Sequence, residues 1–440
     1  MFGLSALGIG FATFLIFLIM MVLLLIGMPL GFLTGLVALF FTFGWFGPGA
    51  VGMIGTRVFS FVTEYSLVAI PMFVLMASML DKTGVARDLY NSMRLIAGRL
   101  KGGVGVQTVV VAALLAAMSG IIGGETVLLG MLALPQMLRL GYNKNLAIGT
   151  VVAGGSLGTM IPPSIVLIMY GMTANVSIGD LFTAAIIPGL ILVLMYISYI
   201  LIRCYINPAM GPVAPQAELA MTTREKFRSL GHVLLPLTIV GWVLGSIYGG
   251  IASVTEAACM GVIGVFLSAL IRKELTRDII HSALRVTMRT CGMIIWIGIG
   301  ASALVGIYNL MGGKRFVETA ILSLDVPPIA IILLMMAILL ALGMFLDWIG
   351  IVMLTMPIFV PIIISLGYDP IWFGVVFCIN MQVSFLSPPF GPAAFYLKSV
   401  APPEISLVDI YKSVWPFITM QLIALGLVLA FPQIAMFFIK

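Results

Sequence analysis

Two pairs of adjacent prolines interrupt long apolar stretches of this chain. Pro162-Pro163 lies within residues 146–173, and Pro388-Pro389 lies within residues 371–397. Proline lacks a backbone N–H and clashes with the preceding helical turn, so each stretch must break at its prolines. In lipid, the freed backbone groups need protein or a water-filled cavity around them. Two broken membrane helices in matching places of one chain indicate a transport site.

The composition places these stretches in a membrane. Of 440 residues, 62% are hydrophobic and 9% are charged, whereas soluble domains carry about 25% charged residues. The apolar stretches are continuous, which favours helices over the short alternating segments of a β-barrel. We therefore predict an all-α polytopic membrane protein. The net charge of +6 comes from basic residues in short loops, which indicate topology and not nucleic-acid binding.

Two further apolar regions are each divided by a polar break. Residues 104–140 break at 119–125 into pieces of roughly 22 Å, too short to cross a core of about 30 Å. Basic residues flank this region at both ends, so we predict a re-entrant hairpin that opens to the cytoplasm. A broken helix that crosses fully is the alternative. Residues 328–366 repeat the pattern with a break at 343–347, and a far flank without basic residues predicts an outward opening.

The two halves of the chain repeat one another. Pro162-Pro163 and Pro388-Pro389 lie 226 residues apart, as do Gly141-Tyr142 and Gly367-Tyr368. Because the charges place the two units in opposite orientations, we predict an inverted-repeat transporter with both termini in the periplasm. The predicted segments are a first repeat at 1–206, a cytoplasmic linker at 207–230 and a second repeat at 231–440.

Other apolar stretches predict complete membrane spans, and two further stretches predict surface segments. The predicted spans are residues 5–27, 29–46, 65–81, 184–206, 233–250, 256–271, 291–311 and 414–438. Residues 47–64 should include an interfacial segment. Residues 82–103 are basic and amphipathic, which predicts a helix on the cytoplasmic membrane surface.

Each half therefore offers a hairpin tip and a broken helix. A helix N-terminus presents free N–H groups to a carboxylate, and unwound carbonyls suit a small cation such as sodium. The candidate sodium ligands are Ser119, Gly120, Glu125, Ser156, Thr159, Gly343, Asp347, Ser384 and Ser387. The candidate substrate-binding residues are Gly124, Pro162, Ser164, Asn380, Gln382 and Pro388. Scattered cysteines and two distant histidines suggest neither a disulfide framework nor a zinc site, and we expect no cofactor.

Several candidates have a simpler structural interpretation. Glu125 and Asp347 are the acids near the tips, and a carboxylate inside the bilayer favours a functional role. Each could instead cap the second helix of its hairpin. Asn380 and Gln382 could bind substrate or hydrogen-bond neighbouring helices. The run Gly154-Gly155-Ser156-Leu157-Gly158 fits the serine-hydrolase GxSxG pattern, although no histidine lies nearby in sequence.

The motifs of the first half resemble those of a known family. They are Ser119-Gly120, Pro135-x-Met137-x-x-x-Gly141-Tyr142, Gly154-Gly155-Ser156-Leu157-Gly158-x-x-Ile161-Pro162-Pro163-Ser164 and Ser177-Ile178-Gly179-Asp180-Leu181-Phe182, joined in the second half by Thr255-Glu256-Ala257-Ala258. Across essentially the whole chain, they are similar to the large membrane subunit of tripartite ATP-independent periplasmic (TRAP) transporters.

This resemblance implies a transporter and not an enzyme. It implies sodium-driven, elevator-type import of a small organic acid, a carboxylate or a sulfonate, across the bacterial inner membrane. It also implies two partners, a small four-helix membrane subunit and a periplasmic substrate-binding protein. The first tip, Ile121-Ile122-Gly123-Gly124-Glu125, departs from the serine- and alanine-rich first tip of many members, which leaves the substrate open. The alternatives are a stand-alone ion or dicarboxylate carrier of the same broad fold and an intramembrane serine hydrolase.

Overall fold

The computed structural model describes residues 4–85, 87–90, 92, 100–120, 123–213, 223–323, 326–389 and 391–439. Within these ranges the regular structure is helical throughout, and no strand occurs. Seven of the described helices are long and apolar enough to cross a membrane. The predicted all-α polytopic membrane fold is therefore confirmed.

The helices are numbered in chain order through the two halves. The first half contains α1 (Gly8–Leu25), α2 (Leu30–Trp45), α3 (Val51–Val62), α4 (Ala69–Lys82), α5 (Gly103–Ser119), α6 (Gly124–Arg139), α7 (Lys144–Gly155), α8 (Ile165–Ala174) and α9 (Ile178–Ile206). The second half contains α10 (Thr223–Tyr248), α11 (Val254–Ile271), α12 (Arg277–Leu310), α13 (Gly313–Leu322), α14 (Pro328–Gly343), α15 (Trp348–Ser365), α16 (Pro370–Leu386), α17 (Pro392–Lys398), α18 (Leu407–Ala430) and α19 (Gln433–Met436).

Both proline pairs interrupt a helix. Helix α7 ends at Gly155 and α8 begins at Ile165, while α16 ends at Leu386 and α17 begins at Pro392. Both Pro–Pro peptide bonds are cis. The segments between these helix ends, which we call the first and second breaks, place irregular backbone in the middle of otherwise apolar stretches.

Two pairs of consecutive helices pack against each other where hairpins were predicted, and their re-entrance stays a prediction. Helices α5 and α6 have 17 and 16 residues, so each is about 24–26 Å long and shorter than the bilayer core. The first tip turns at Gly120 (φ +56°) and Gly123 (φ +94°), a backbone region that glycine enters without steric cost. Helices α14 and α15 form the second hairpin, whose tip ends at Asp347.

Several boundaries differ from the sequence-based expectation. Helix α10 begins at Thr223, inside the predicted linker 207–230, and 214–222 lie outside the described residues. Most of the basic segment 272–289 forms the first turns of α12. Helix α18 begins at Leu407 instead of residue 414, because Ser406 and Asp409 form a capping box. The predicted surface helix at 82–103 falls partly outside the described residues, at 86, 91 and 93–99.

The helices pack as two groups that meet along α12. Helices α1–α4 and α10–α13 form the scaffold group, in which α2, α3 and α4 pack on α12 and α11 packs on α4. Helices α5–α9 and α14–α19 form the hairpin group, in which α7 packs on α6 and α18, and α15 packs on α8. Helix α12 contacts α15, and α4 contacts α5, so both hairpins lie at the boundary between the groups.

Candidate functional site

The first tip lies directly against the first break. A Cβ atom added to Gly120 would lie 2.2 Å from the carbonyl oxygen of Pro163. The amide of Ile165, at the start of α8, donates to the carbonyl oxygen of Gly120 over 3.4 Å. Glycine at the tip therefore permits a backbone-to-backbone approach that any side chain would prevent.

The second tip makes the corresponding contact with the second broken helix. A Cβ atom added to Gly343 would lie 2.5 Å from the Cβ and Oγ atoms of Ser384. Asp347 caps α15, because its Oδ2 accepts a hydrogen bond from the amide of Ile349 over 3.3 Å. The capping interpretation of Asp347 is thus present in the structure, and the residue as a whole is exposed.

A cavity of about 240 Å³, the central cavity, joins the two tips and the two broken helices. Gly120 and Thr159 line it from the first half. Gly343, Asp347 and Ser384 line it from the second half. Thr290, Met293 and Ile294 of α12 form the scaffold wall. Five of the candidate sodium ligands, drawn from sequence positions more than 200 residues apart, therefore share one cavity between the two helix groups.

Glu125 lies beside a second cavity, the tip cavity, of about 150 Å³. The side chain is 3% exposed, and its Oε1 accepts a hydrogen bond from the Ser119 hydroxyl. Its Oε2 has no hydrogen-bond partner among the described residues. Ser78 and Asp81 of α4 line the same cavity. A buried carboxylate oxygen without a donor is costly, so this oxygen is available to a cation or a proton.

The lack of a side chain at Gly158 makes room for this carboxylate. A Cβ atom added to Gly158 would lie 2.7 Å from Oε1 of Glu125. Glu125 occupies the first turn of α6, whose N-cap residue, Gly123, makes no side-chain hydrogen bond. Glu125 therefore differs from Asp347, because it does not cap its helix through a hydrogen bond.

Ser156, Asn380 and Gln382 hold helices together and line neither of these cavities. The Nε2 of Gln382 donates to the carbonyl oxygen of Ser156 over 3.1 Å, and the hydroxyl of Thr159 donates to the same oxygen over 2.9 Å. The Nδ2 of Asn380 donates to the carbonyl oxygen of Met336 on α14 over 3.0 Å. These contacts match the helix-bonding alternative, and one of them ties the two halves together.

The remaining candidates lie at helix ends. The Ser164 hydroxyl donates to the carbonyl oxygen of Thr159 over 2.6 Å and caps α8. The Ser387 hydroxyl donates to the carbonyl oxygen of Val383 over 2.7 Å at the end of α16. The other candidates are two break residues, Pro162 and Pro388, and the first residue of α6, Gly124, which lines the tip cavity.

The structure adds residues that the sequence analysis did not select. Gln421 of α18 is fully buried, and its Nε2 donates to Ser156 Oγ over 3.3 Å and to the Tyr196 hydroxyl over 2.9 Å. A single amide within an apolar span is the signal that points to it. Thr290 lines both the central and the tip cavity. No local pattern distinguishes this threonine in α12.

Residues 17–434 match the family model described as "Tripartite ATP-independent periplasmic transporter, DctM component". The chain belongs to this family. The match covers both hairpins, both breaks and α12, so the cavities described above lie within the DctM component. As a member, the chain is a multi-pass membrane subunit of a tripartite transporter and not an enzyme.

Two curated large permease proteins match over nearly their whole length. The C4-dicarboxylate TRAP transporter large permease protein DctM of Vibrio cholerae is 27% identical, over 96% of this chain and 96% of that protein. The ectoine TRAP transporter large permease protein TeaC of Halomonas elongata is 30% identical, over 94% of this chain and 96% of that protein. These relatives carry different substrates in their names, so family membership alone does not select one.

Among solved structures, the YdaH transporter of Alcanivorax borkumensis is similar to the DctM component in fold. The TM-score is 0.62 at 15% sequence identity, over 86% of each chain. At this identity the likeness concerns the fold alone. It agrees with the all-helical membrane fold described above.

Part of the family resemblance consists of helix caps. Ser253 and Glu256 form a capping box at the start of α11. Ser177 likewise caps α9. These motif residues begin helices and do not line the cavities described above.

Proposed function

We propose that this chain is the large permease subunit of a sodium-coupled importer of a small organic acid in the bacterial inner membrane. The proposal rests on the central cavity, because residues of both tips, both broken helices and α12 line it. The relatives are named for C4-dicarboxylates and ectoine, all of which bear a carboxylate. Helix ends and free backbone groups around the breaks suit such an anion.

Sodium as the coupling ion fits the residues present. Thr159, Asp347 and Ser384 bring side-chain oxygens to the central cavity. Glu125 adds a buried carboxylate oxygen without a partner at the tip cavity. Sodium in transporters of this kind is coordinated by unwound backbone carbonyls and helix C-terminal ends, which the two breaks supply. We propose that Ser119, Gly120 and Glu125 serve the ion in the first half, and that Gly343, Asp347 and Ser384 serve it in the second half.

The proposed mechanism is movement of the hairpin group against the scaffold group. The scaffold wall of the central cavity consists of Thr290, Met293 and Ile294, which offer no charged side chain to hold the hairpins in place. Packed helices can slide past one another in such shear motions. The hairpins would remain re-entrant in the membrane, and the substrate would travel with them along α12.

The charge pattern supports an orientation for this movement. Basic residues cluster around the start of α12, at Arg272, Lys273, Arg277, Arg285 and Arg289, so this end is proposed to face the cytoplasm. The C-terminal end of α12, at Leu310, and both chain termini would then face the periplasm. We propose that the two other components of the tripartite assembly are a small membrane subunit and a periplasmic binding protein that delivers the substrate.

Reconstituted transport tests this proposal. Proteoliposomes that contain both membrane subunits receive the binding protein loaded with radiolabelled succinate or ectoine. Uptake should need an inward sodium gradient and no ATP. Uptake of the same rate and extent without a sodium gradient would contradict the coupling. Uptake by the large subunit alone, without the binding protein, would favour a stand-alone carrier instead.

A further inference from the structure

A third cavity, the outer cavity, lies between the same two helix groups at the other end of α12. It has a volume of about 290 Å³. Ser302, Gly306 and Asn309 line it from α12, and Thr173 of α8 and Met353 of α15 line it from the hairpin group. Ser302 lies eight residues beyond Ile294 of the central cavity, which is about 12 Å along the helix.

Arg57 of α3 is the basic residue that lines this cavity. Its side-chain stem lies across Gly306, where an added Cβ atom would be 2.8 Å from Arg57 Cγ. The hydroxyl of Ser302 donates to the carbonyl oxygen of Arg57 over 3.3 Å. Both contacts fix the start of the arginine side chain against α12, so the guanidinium is held beside the cavity.

The guanidinium of Arg57 has no acidic partner in the described part of the chain. The ion pairs found there involve Lys82, Lys144 and Arg272. Glu64 lines the same cavity but does not form an ion pair with Arg57. Helix α3 also lies at the end of the scaffold opposite the basic start of α12, where the topology preference disfavours arginine. Arg57 differs from other basic residues at this end because it is held beside a cavity without an ion-pair partner among the described residues, which leaves its guanidinium open to an external anion.

We propose that Arg57 binds the carboxylate of the substrate when the hairpin group stands at the outer end of α12. This inference rests on the proposed elevator transport. In that position the tips and broken helices face Ser302, Gly306 and Asn309 instead of Thr290 and Met293. Arginine suits this role, because its planar guanidinium forms paired hydrogen bonds with a carboxylate.

The charges along the path give this site a direction. The outer cavity carries the cation Arg57 beside the carboxylate of Glu64, whereas the described lining of the central cavity includes Asp347 and no lysine or arginine. The tip cavity, nearer the start of α12, carries Asp81 and Glu125. A substrate anion that moves inward therefore moves away from the guanidinium of Arg57. It approaches the carboxylates that line the central and tip cavities. Arg57 thus favours binding of the substrate at the outer position. The lack of a basic side chain around the inner positions favours release of the substrate.

Variants at residue 57 test this proposal in the complete transporter. Arg57→Ala should raise the KM for the succinate-loaded binding protein about tenfold or more, in line with loss of a charge-assisted hydrogen bond. The rate at saturation should stay near the wild-type value, and Arg57→Lys should recover most of the affinity. Arg315→Ala is the matched control, because Arg315 is an exposed arginine just beyond the same end of α12 and outside the outer cavity.

The outcomes separate an anion site from other roles. A KM within twofold of wild type in both Arg57→Ala and Arg57→Gln would overturn the proposal, as would an equal shift in Arg315→Ala. A KM shift matched by equal loss of binding-protein docking, measured by co-sedimentation with proteoliposomes, would also overturn it. Size-exclusion chromatography checks that each variant folds. Because wild-type uptake is measured in parallel, failure at Arg57 remains distinct from failure of sodium-driven transport.

Discussion

Gly120 provides a quantitative test of the contact between the first tip and the first break. In Gly120→Ala, the residue must keep φ near +56°, which costs a side-chain-bearing residue about 1–2 kcal/mol. The new Cβ would also lie 2.2 Å from the Pro163 oxygen, and relief of such overpacking costs about 1–3 kcal/mol. The sum is about 2–5 kcal/mol. This free energy lowers the fraction of molecules in which the first tip contacts the first break by roughly 30-fold to several thousand-fold.

Initial uptake in proteoliposomes and thermal unfolding together measure this effect. Gly27→Ala is the matched control, because Gly27 has φ +88° and no atom within 4 Å of an added Cβ. Both variants should lower the Tm, since both carry the backbone cost. Only Gly120→Ala should lose uptake, by at least about 30-fold. Uptake within a few-fold of wild type in Gly120→Ala would refute the contact between tip and break.

Two further substitutions probe individual polar groups. Asp347→Ala should raise the sodium concentration that gives half-maximal uptake. Asp347→Asn keeps a capping residue for the amide of Ile349 and should raise that concentration as well. If the sodium dependence is unchanged in both variants, Asp347 acts only as a helix cap. Gln421→Leu removes the donor to the buried Tyr196 hydroxyl and should destabilise the protein by about 1–3 kcal/mol. Thr419→Val, an exposed change on the same helix, should leave the Tm unchanged, and an equal Tm in both variants would contradict the role of Gln421.

The helix breaks and tips were accessible to sequence reasoning because their causes are local. A proline pair breaks a helix wherever it stands, and Gly120 and Gly123 supply a turn through their own backbone freedom. Asp347 was expected either to act at the site or to cap α15, and in the structure it both caps α15 and lines the central cavity. The 226-residue offset between the two halves predicted that each half would offer a tip and a broken helix.

Contacts between distant segments were not accessible in the same way. The hydrogen bond from Gln382 to Ser156 joins residues 226 positions apart, and no pattern around either residue specifies its partner. Thr290 forms part of two cavities because α12 packs at the boundary between the helix groups, which is a tertiary property. Helix α13 escaped prediction because it is short and only partly apolar.

Movement of the site along α12 is the central claim, and disulfide trapping tests it most directly. The four native cysteines, Cys204, Cys259, Cys291 and Cys378, would first be replaced by serine or alanine. Leu346 and Met293 both line the central cavity, so the pair Leu346→Cys/Met293→Cys should cross-link and stop uptake until a reductant is added.

The decisive pair is Leu346→Cys/Ser302→Cys, because Ser302 lies nine residues further along α12, about 13 Å from the level of Met293. If the hairpin group travels, this pair should cross-link during sodium-driven uptake and trap an outer position. If uptake proceeds while this pair never cross-links, and the Met293 pair forms without loss of uptake, the hairpin group does not move along α12.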